Sequence, residues 1–378
     1  MKFILFFVSL NFLSLTSYAK ERKARNVVAS TLRPYPTAPN YQLTYDIEQG
    51  IQATLSANIR QAVQTIQQET CLTFSEQTAG TPVDLSFVNS PTGLCDTAIG
   101  LDAPGTTRGI HLASGCTTVP EIMREIAHAL GLYNEELRPD RNSYIRILYQ
   151  NVLTANFSQF TIPASSKANS LNYDYGSLMH SPLNYLTSNG QNTMEPVFRK
   201  YAAVIGQRLG FSFNDLKLIN MEYCSAVCAT TANNCRARGY PNPRNCGVCK
   251  CPSFYTGNTC QNLITHDSRC GAQLRTLGNS RKVTFTVNGA LQCLFKIRVP
   301  RGNRIVVTIE RARLPGGNCF AAKGIELRMF NDKSVSGAKY CGAVDNVSLK
   351  SEMNVVLLRY NGALPRHMMR ISYRRAQQ

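Results

Sequence analysis

Fourteen cysteines, unevenly spaced, constrain this chain more than any other feature. Cys71, Cys95 and Cys116 lie far apart. Seven crowd together at Cys224, Cys228, Cys235, Cys246, Cys249, Cys251 and Cys260. Cys270, Cys293, Cys319 and Cys341 are widely spaced again. An even count in a chain that meets an oxidising compartment reads as a disulfide framework, and three spacing regimes predict three domains. Residues 228–260 are rich in Cys, Gly, Pro and Asn and poor in apolar runs. Such a segment cannot build its own core and depends on its staples.

The N-terminus supplies the compartment. Lys2, an apolar run over 3–15 and the small-x-small triplet Ser17-Tyr18-Ala19 predict a signal peptide over 1–19, hence a secreted, extracellular protein. That run is too short to span a bilayer, and no other approaches 18 apolar residues. Residues 20–25, KERKAR, end in an R-x-x-R processing pattern and predict a short prosegment. Asn156 (Asn-Phe-Ser) and Asn346 (Asn-Val-Ser) are glycosylation sequons. The net charge is +18, and residues 261–378 hold 20 Lys or Arg against 6 Asp or Glu, leaving +14 there. On an extracellular domain this excess predicts acidic partners, sulfated glycans or anionic protein faces; the compartment excludes nucleic acid.

Residues 51–70 place Ile51, Leu55, Ile59, Val63 and Ile66 at helical spacing. LTF, DLSFV and GIHLAS (109–114) read as short strands. Thr118-Val-Pro-Glu121 forms a capping box with proline in the first turn, opening a helix through Leu130 that Gly131 ends. Mixed helices and strands predict an α+β domain. Beyond 270, KVTFTV, CLFKIRV, NRIVVTIE, IELRMF, NVVLLRY and MMRISY, punctuated by Gly and Pro, predict a β-sandwich.

Inside the second helix, REIAHALGLYN (124–134) departs at two positions from the zinc-protease signature HExxHxxGxxH. Residues 124 and 128 are i and i+4, so they project from one face. Glu125, His128 and Gly131 fit the signature; Arg124 and Asn134 stand where histidines would. GLYNEELRPDR (131–141) is similar to GFYHEHSRPDR, and YDYGSLMH (173–180) to a Met-turn, with Met179 beneath the metal position.

These motifs resemble the astacin family of secreted zinc metalloendopeptidases, and within it the nematode members carrying an EGF-like module and a CUB domain. The resemblance implies an α+β astacin/metzincin-like domain over 26–224, a small disulfide-rich EGF-like module over 225–261 and a β-sandwich CUB-like domain over 270–376. It implies disulfides Cys71–Cys224 and Cys95–Cys116, an EGF pattern through Cys228, Cys235, Cys246, Cys249, Cys251 and Cys260, and a CUB landmark at Lys339-Tyr-Cys-Gly342. It implies zinc as cofactor, Glu125 as general base and Glu135 as partner of the buried new N-terminus. It also sets out the departures. Two of three histidine ligands are replaced, and Ser181 stands where a tyrosine assists the transition state. The six-residue prosegment lacks the family's zinc-masking aspartate.

Catalytic zinc takes three protein ligands and a water. One imidazole is too few, asparagine is a weak donor, and a fixed guanidinium repels the ion. Zinc lowers the pKa of its water from about 15.7 to about 7, a shift worth at most roughly 12 kcal/mol that a lone carboxylate cannot replace. Of five histidines, His111, His128, His180, His266 and His367, only His128 is expected at the metal position. Two functions follow. The first is a catalytically inactive homologue that binds extracellular peptides or matrix partners, GIHLAS offering an edge for strand addition. The alternative is an active zinc metalloendopeptidase hydrolysing extracellular proteins. A purely structural matrix protein differs from the first only in an unused cleft.

Overall fold

The computed structural model describes residues 41–101, 105–164, 166, 171–278, 281–317, 319–320 and 323–376. The expected signal peptide and prosegment lie outside the described residues.

The first unit is a five-stranded sheet with helices packed on it. Its strands are β1 (Gln42–Ile47), β2 (Thr73–Glu76), β3 (Leu85–Asn89), β4 (Asp96–Thr97) and β5 (Arg108–Leu112), in the order β2-β1-β3-β5-β4. All pairs are parallel except β4 with β5. β1 was not anticipated, although its alternation buries Leu43 and Tyr45. Helix α1 (Ala53–Glu69) sets Ile59, Ala62, Val63 and Ile66 into the core beneath the sheet.

GIHLAS does not provide the peptide-binding edge. β5 pairs with β3 on one side, and its Ile110 and His111 pair with Thr97 and Asp96 of β4 on the other. Both hydrogen-bonding rows are therefore used over that stretch, and the outermost strand is β4.

Helix α2 (Val119–Ala129) carries the near-signature. Its N-terminal box is half formed. The Thr118 amide and hydroxyl both donate to Glu121, at 3.2 and 2.7 Å. At the other end Gly131 adopts φ +89°. Gly131 N–H donates to His128 O at 2.8 Å and Leu132 N–H to Ala127 O at 2.9 Å. This paired C-cap needs a left-handed residue, which glycine supplies without a Cβ penalty. It turns the chain back so that Asn134 returns beside Arg124.

Helix α3 (Phe213–Tyr223) opens on a complete box: Asp215 N–H donates to Ser212 Oγ at 3.2 Å, and Ser212 N–H to the Asp215 carboxylate at 2.8 Å. Its end is bonded to the end of α1 by Cys71–Cys224, while Cys95–Cys116 ties the β4 region to the start of α2. A compact segment follows, closed by Cys228–Cys246, Cys235–Cys249 and Cys251–Cys260.

The C-terminal region is two facing sheets. Its strands are β6 (Leu274–Thr276), β7 (Val283–Asn288), β8 (Gln292–Arg298), β9 (Arg304–Arg313), β10 (Gly324–Arg328), β11 (Ala338–Tyr340), β12 (Ala343–Lys350), β13 (Val355–Asn361) and β14 (Met368–Ala376). The sheet orders are β6-β8-β13-β10-β11 and β7-β14-β9-β12. Cys270–Cys293 and Cys319–Cys341 brace them. The short β6 and β11, and β12, were not legible as apolar runs.

The sandwich core does not stop at the sandwich. It is continuous with buried Tyr144, Tyr173, Tyr175, Tyr201 and Ile205 of the preceding unit. Phe330 stacks on Tyr201 with ring centres 4.7 Å apart and meets Phe198 edge-on at 5.1 Å. Among the described residues, no helix is long and apolar enough to cross a membrane.

Candidate functional site

The candidate site lies where α2, the turn after Gly131 and the loop over 173–181 meet. Residues i and i+4 of α2 bring Arg124 and His128 to one face. Arg124 is largely buried. Its Nη1 donates to Glu125 Oε1 at 3.3 Å and its Nη2 to Asn134 Oδ1. Its buried Nε has no hydrogen-bond partner. The two residues standing where histidines were expected are thus bonded to each other, with Glu125 as counter-ion. Burial raises the Glu125 pKa, and Arg124 opposes that shift.

His128 is buried, and its Nδ1 donates to Leu132 O at 2.7 Å. A carbonyl only accepts, so that nitrogen carries the proton. Burial, then Arg124, pushes the imidazole pKa down to about 3, so the ring is neutral.

The other histidines are committed elsewhere. His180 receives the Tyr173 hydroxyl on Nε2 at 2.7 Å and donates from Nδ1 to Ser181 O at 2.9 Å, and burial lowers its pKa. His111 pairs with Asp96 across β4 and β5 at 3.1 Å. His266 and His367 bond within the sandwich half.

The loop over 173–181 hangs from α3. Asp215 accepts from Ser177 Oγ at 2.6 Å and Leu178 N–H at 2.8 Å, and burial pushes its pKa up to about 6. Met179 is buried, and its carbonyl accepts from Glu135 N–H at 3.1 Å. Glu135 accepts from Asp174 N–H at 2.8 Å and pairs with Arg138 at 3.5 Å; burial pushes its pKa up to about 8 despite Arg138.

Besides Asp215, two contributors were not anticipated. Glu136 reaches under Ser181, accepting its N–H at 3.1 Å, while one Glu136 oxygen and the Ser181 hydroxyl are buried without partners. Arg208 donates from Nη1 to the carbonyls of Leu178, His180 and Gln207, and burial pushes its pKa down to about 10. Glu136 left one sequence signal, an acidic pair where a similar motif has Glu-His. Arg208 left none, because its contacts are to backbone remote in sequence.

As a donor set these side chains do not fit a zinc ion. Among the described residues no three His, Cys, Asp or Glu side chains are grouped so that they could hold a metal ion. The Asn134 oxygen that would face a metal is already bonded to a guanidinium, which cannot lose its proton.

The astacin family of peptidases matches residues 30–224, just over half of the chain. Zinc metalloproteinase nas-34 of Caenorhabditis elegans is 35% identical over 67% of this chain and 42% of its own length. Zinc metalloproteinase nas-38 of the same organism is 31% identical over 85% and 45%. High choriolytic enzyme 1, a hatching-enzyme zinc protease of Oryzias latipes, is a solved structure similar over 52% of this chain and 96% of its own, with 27% identity and a TM-score of 0.46. The chain spans about half the length of the curated relatives it matches.

Proposed function

Because the chain belongs to the astacin family of peptidases, we propose that it is a member that binds extracellular peptides or proteins in its cleft without hydrolysing them. The observation that carries this reading is the Arg124–Asn134 hydrogen bond with Glu125 as counter-ion. It sets a cation and an occupied acceptor where the chemistry needs two neutral donors. Glu125 serves that cation rather than a metal-bound water. The strand-addition edge is β4, whose Asp96 stands near enough to raise the Glu125 pKa.

We read the rest of the molecule the same way. The chain is secreted; its segment over 225–261 is EGF-like and that over 270–376 CUB-like. Asn346 is exposed and Asn156 partly exposed, so both sequons are open to glycosylation. The modules hold the cleft near its partners, acidic glycans among them.

The deciding experiment is the metal content of the secreted protein after exchange into zinc buffer and extensive dialysis, with peptide hydrolysis assayed alongside. Less than about a tenth of a zinc per chain and no hydrolysis is the expected outcome. About one zinc per chain with hydrolysis would install the active metalloendopeptidase instead. The triple change Arg124→His, Asn134→His and Ser181→Tyr is expected to create zinc binding, since the C-cap turn that aligns the ligands is intact.

A further inference from the structure

We propose that the outer face of the β7-β14-β9-β12 sheet is a docking surface for a sulfated polysaccharide chain. This deepens the partner half of the function above and does not depend on the cleft.

Strand alternation builds the face. Met369, Ile371 and Tyr373 of β14 are buried, so Arg370 and Arg374 point outward and are exposed. Ile305, Val307, Ile309 and Ala312 of β9 are buried, and the bulge between Ile309 and Arg311 leaves both Glu310 and Arg311 on the outer side with Arg304 and Arg313. Lys350 of β12 joins them, since Val344 and Leu349 face inward.

Register places the cations. Arg311 lies directly opposite Arg370, and Arg374 and Lys350 flank Val306 from either side. Arg370 and Arg374 are therefore about 13 Å apart along the strand, and Arg374 and Lys350 about 10 Å apart across the sheet. Acidic groups on the face are already used. Glu310 takes Lys282 at 2.5 Å and Arg370 at 2.9 Å, and Asp345 takes Arg313 at 3.0 Å. Among the described residues Arg304, Arg311, Lys350 and Arg374 have no ion-pair partner, and Arg304 Nε is buried without a hydrogen bond. Like charges opposed across a sheet destabilise it, and a bound polyanion relieves that repulsion.

The face is extended rather than pocketed, which suits a chain more than a single anion. Guanidinium forks match the oxygens of a sulfate. None of the exposed large apolar residues of this half (Ile264, Leu274, Met353 and Leu364) lies on its strands, so it offers nothing to insert into a lipid surface. The Asn346 sequon sits in β12, two strands from Arg370 and Arg374.

The test uses the full secreted chain with immobilised heparin, with hyaluronan and phosphatidylserine vesicles as competing probes. Salt-dependent binding to heparin is expected, with little to unsulfated hyaluronan. The variant Arg311→Ser/Lys350→Ser/Arg374→Ser is expected to lose about tenfold in affinity and to flatten the salt dependence. The variant Arg146→Ser/Arg199→Ser/Lys200→Ser removes as many cations from the first unit and is expected to bind like wild type. Equal losses in both variants, equal binding to hyaluronan, or tighter face-dependent binding to vesicles would each overturn the proposal. A zinc-binding, hydrolytic cleft would leave it standing and remove only the reading of the cleft.

Discussion

At Arg124 a guanidinium stands one helical turn from His128, where a metal site needs a neutral donor. Its partner Glu125 is almost fully buried, so removing the cation strands a carboxylate. Arg124→Met is expected to cost about 3 kcal/mol in urea unfolding. A loss under about 1 kcal/mol would place the guanidinium in solvent. His128 makes a pH prediction. Its folded pKa of about 3 lies far below the ordinary 6.5. As pH falls through 6.5 the unfolded chain takes a proton that the folded one refuses, so this contribution is present above 6.5 and is lost below it. Glu135, raised from 4.5 to about 8, acts in the opposite sense, losing stability as pH rises across that interval. Comparison with His128→Gln separates the two. Relative to that variant the wild type is expected to lose about 1.1 kcal/mol per pH unit between pH 6.5 and 5. Parallel curves would mean that His128 protonates normally. Arg124, Glu125, His128 and Asn134 were legible in the sequence, because helical spacing and one glycine turn determine who meets whom. Glu136, Arg208 and Asp215 were not, because they reach the cleft through contacts across nearly 30 residues or more.

Elements supply the frame. The α2 C-cap and the α3 N-cap follow from Gly131 and from Ser212 with Asp215, local rules that act through hydrogen-bonding geometry. How the loop over 173–181 is supported does not follow from local rules. Asp174 Oδ1 accepts from Ser336 N–H at 3.0 Å, and Asn172 donates to Asp332 at 2.9 Å, both partners lying in the sandwich. A Cβ on Gly176 would sit 2.6 Å from Ser336 Cβ. Gly176→Ala is expected to destabilise the protein by about 1–3 kcal/mol, and Ser336→Gly to restore most of that. Without rescue, the contact between loop and sandwich is not the cause. The edge strand shows the converse limit. GIHLAS is a strand, as its alternation requires, but whether its outer row is free depended on two residues, Asp96 and Thr97, too short a run to announce a strand.

Across the whole molecule, Phe330 and its neighbours join the sandwich to the first unit through one continuous apolar core. Calorimetry is therefore expected to show a single transition for the full chain. A chain ending at residue 265 uncovers Tyr175 and Tyr201 and is expected to unfold roughly 5–10 °C lower. Two well-separated transitions in the full chain would show that the units fold independently. Cysteine spacing carried no information about the aromatic seam that joins the sandwich to the first unit.

What the sequence determined by itself was everything set by short-range geometry. The near-signature helix, its glycine turn, the loss of two histidines and the apolar strands all depend on residues within a few positions of one another. Tertiary structure alone decided where those pieces press together. It set Glu136 beneath Ser181, closed the outer row of β5 with β4 and seated the sandwich on the loop over 173–181. Hydrogen bonds and buried apolar area reward such contacts without regard to distance along the chain, so no local pattern records them.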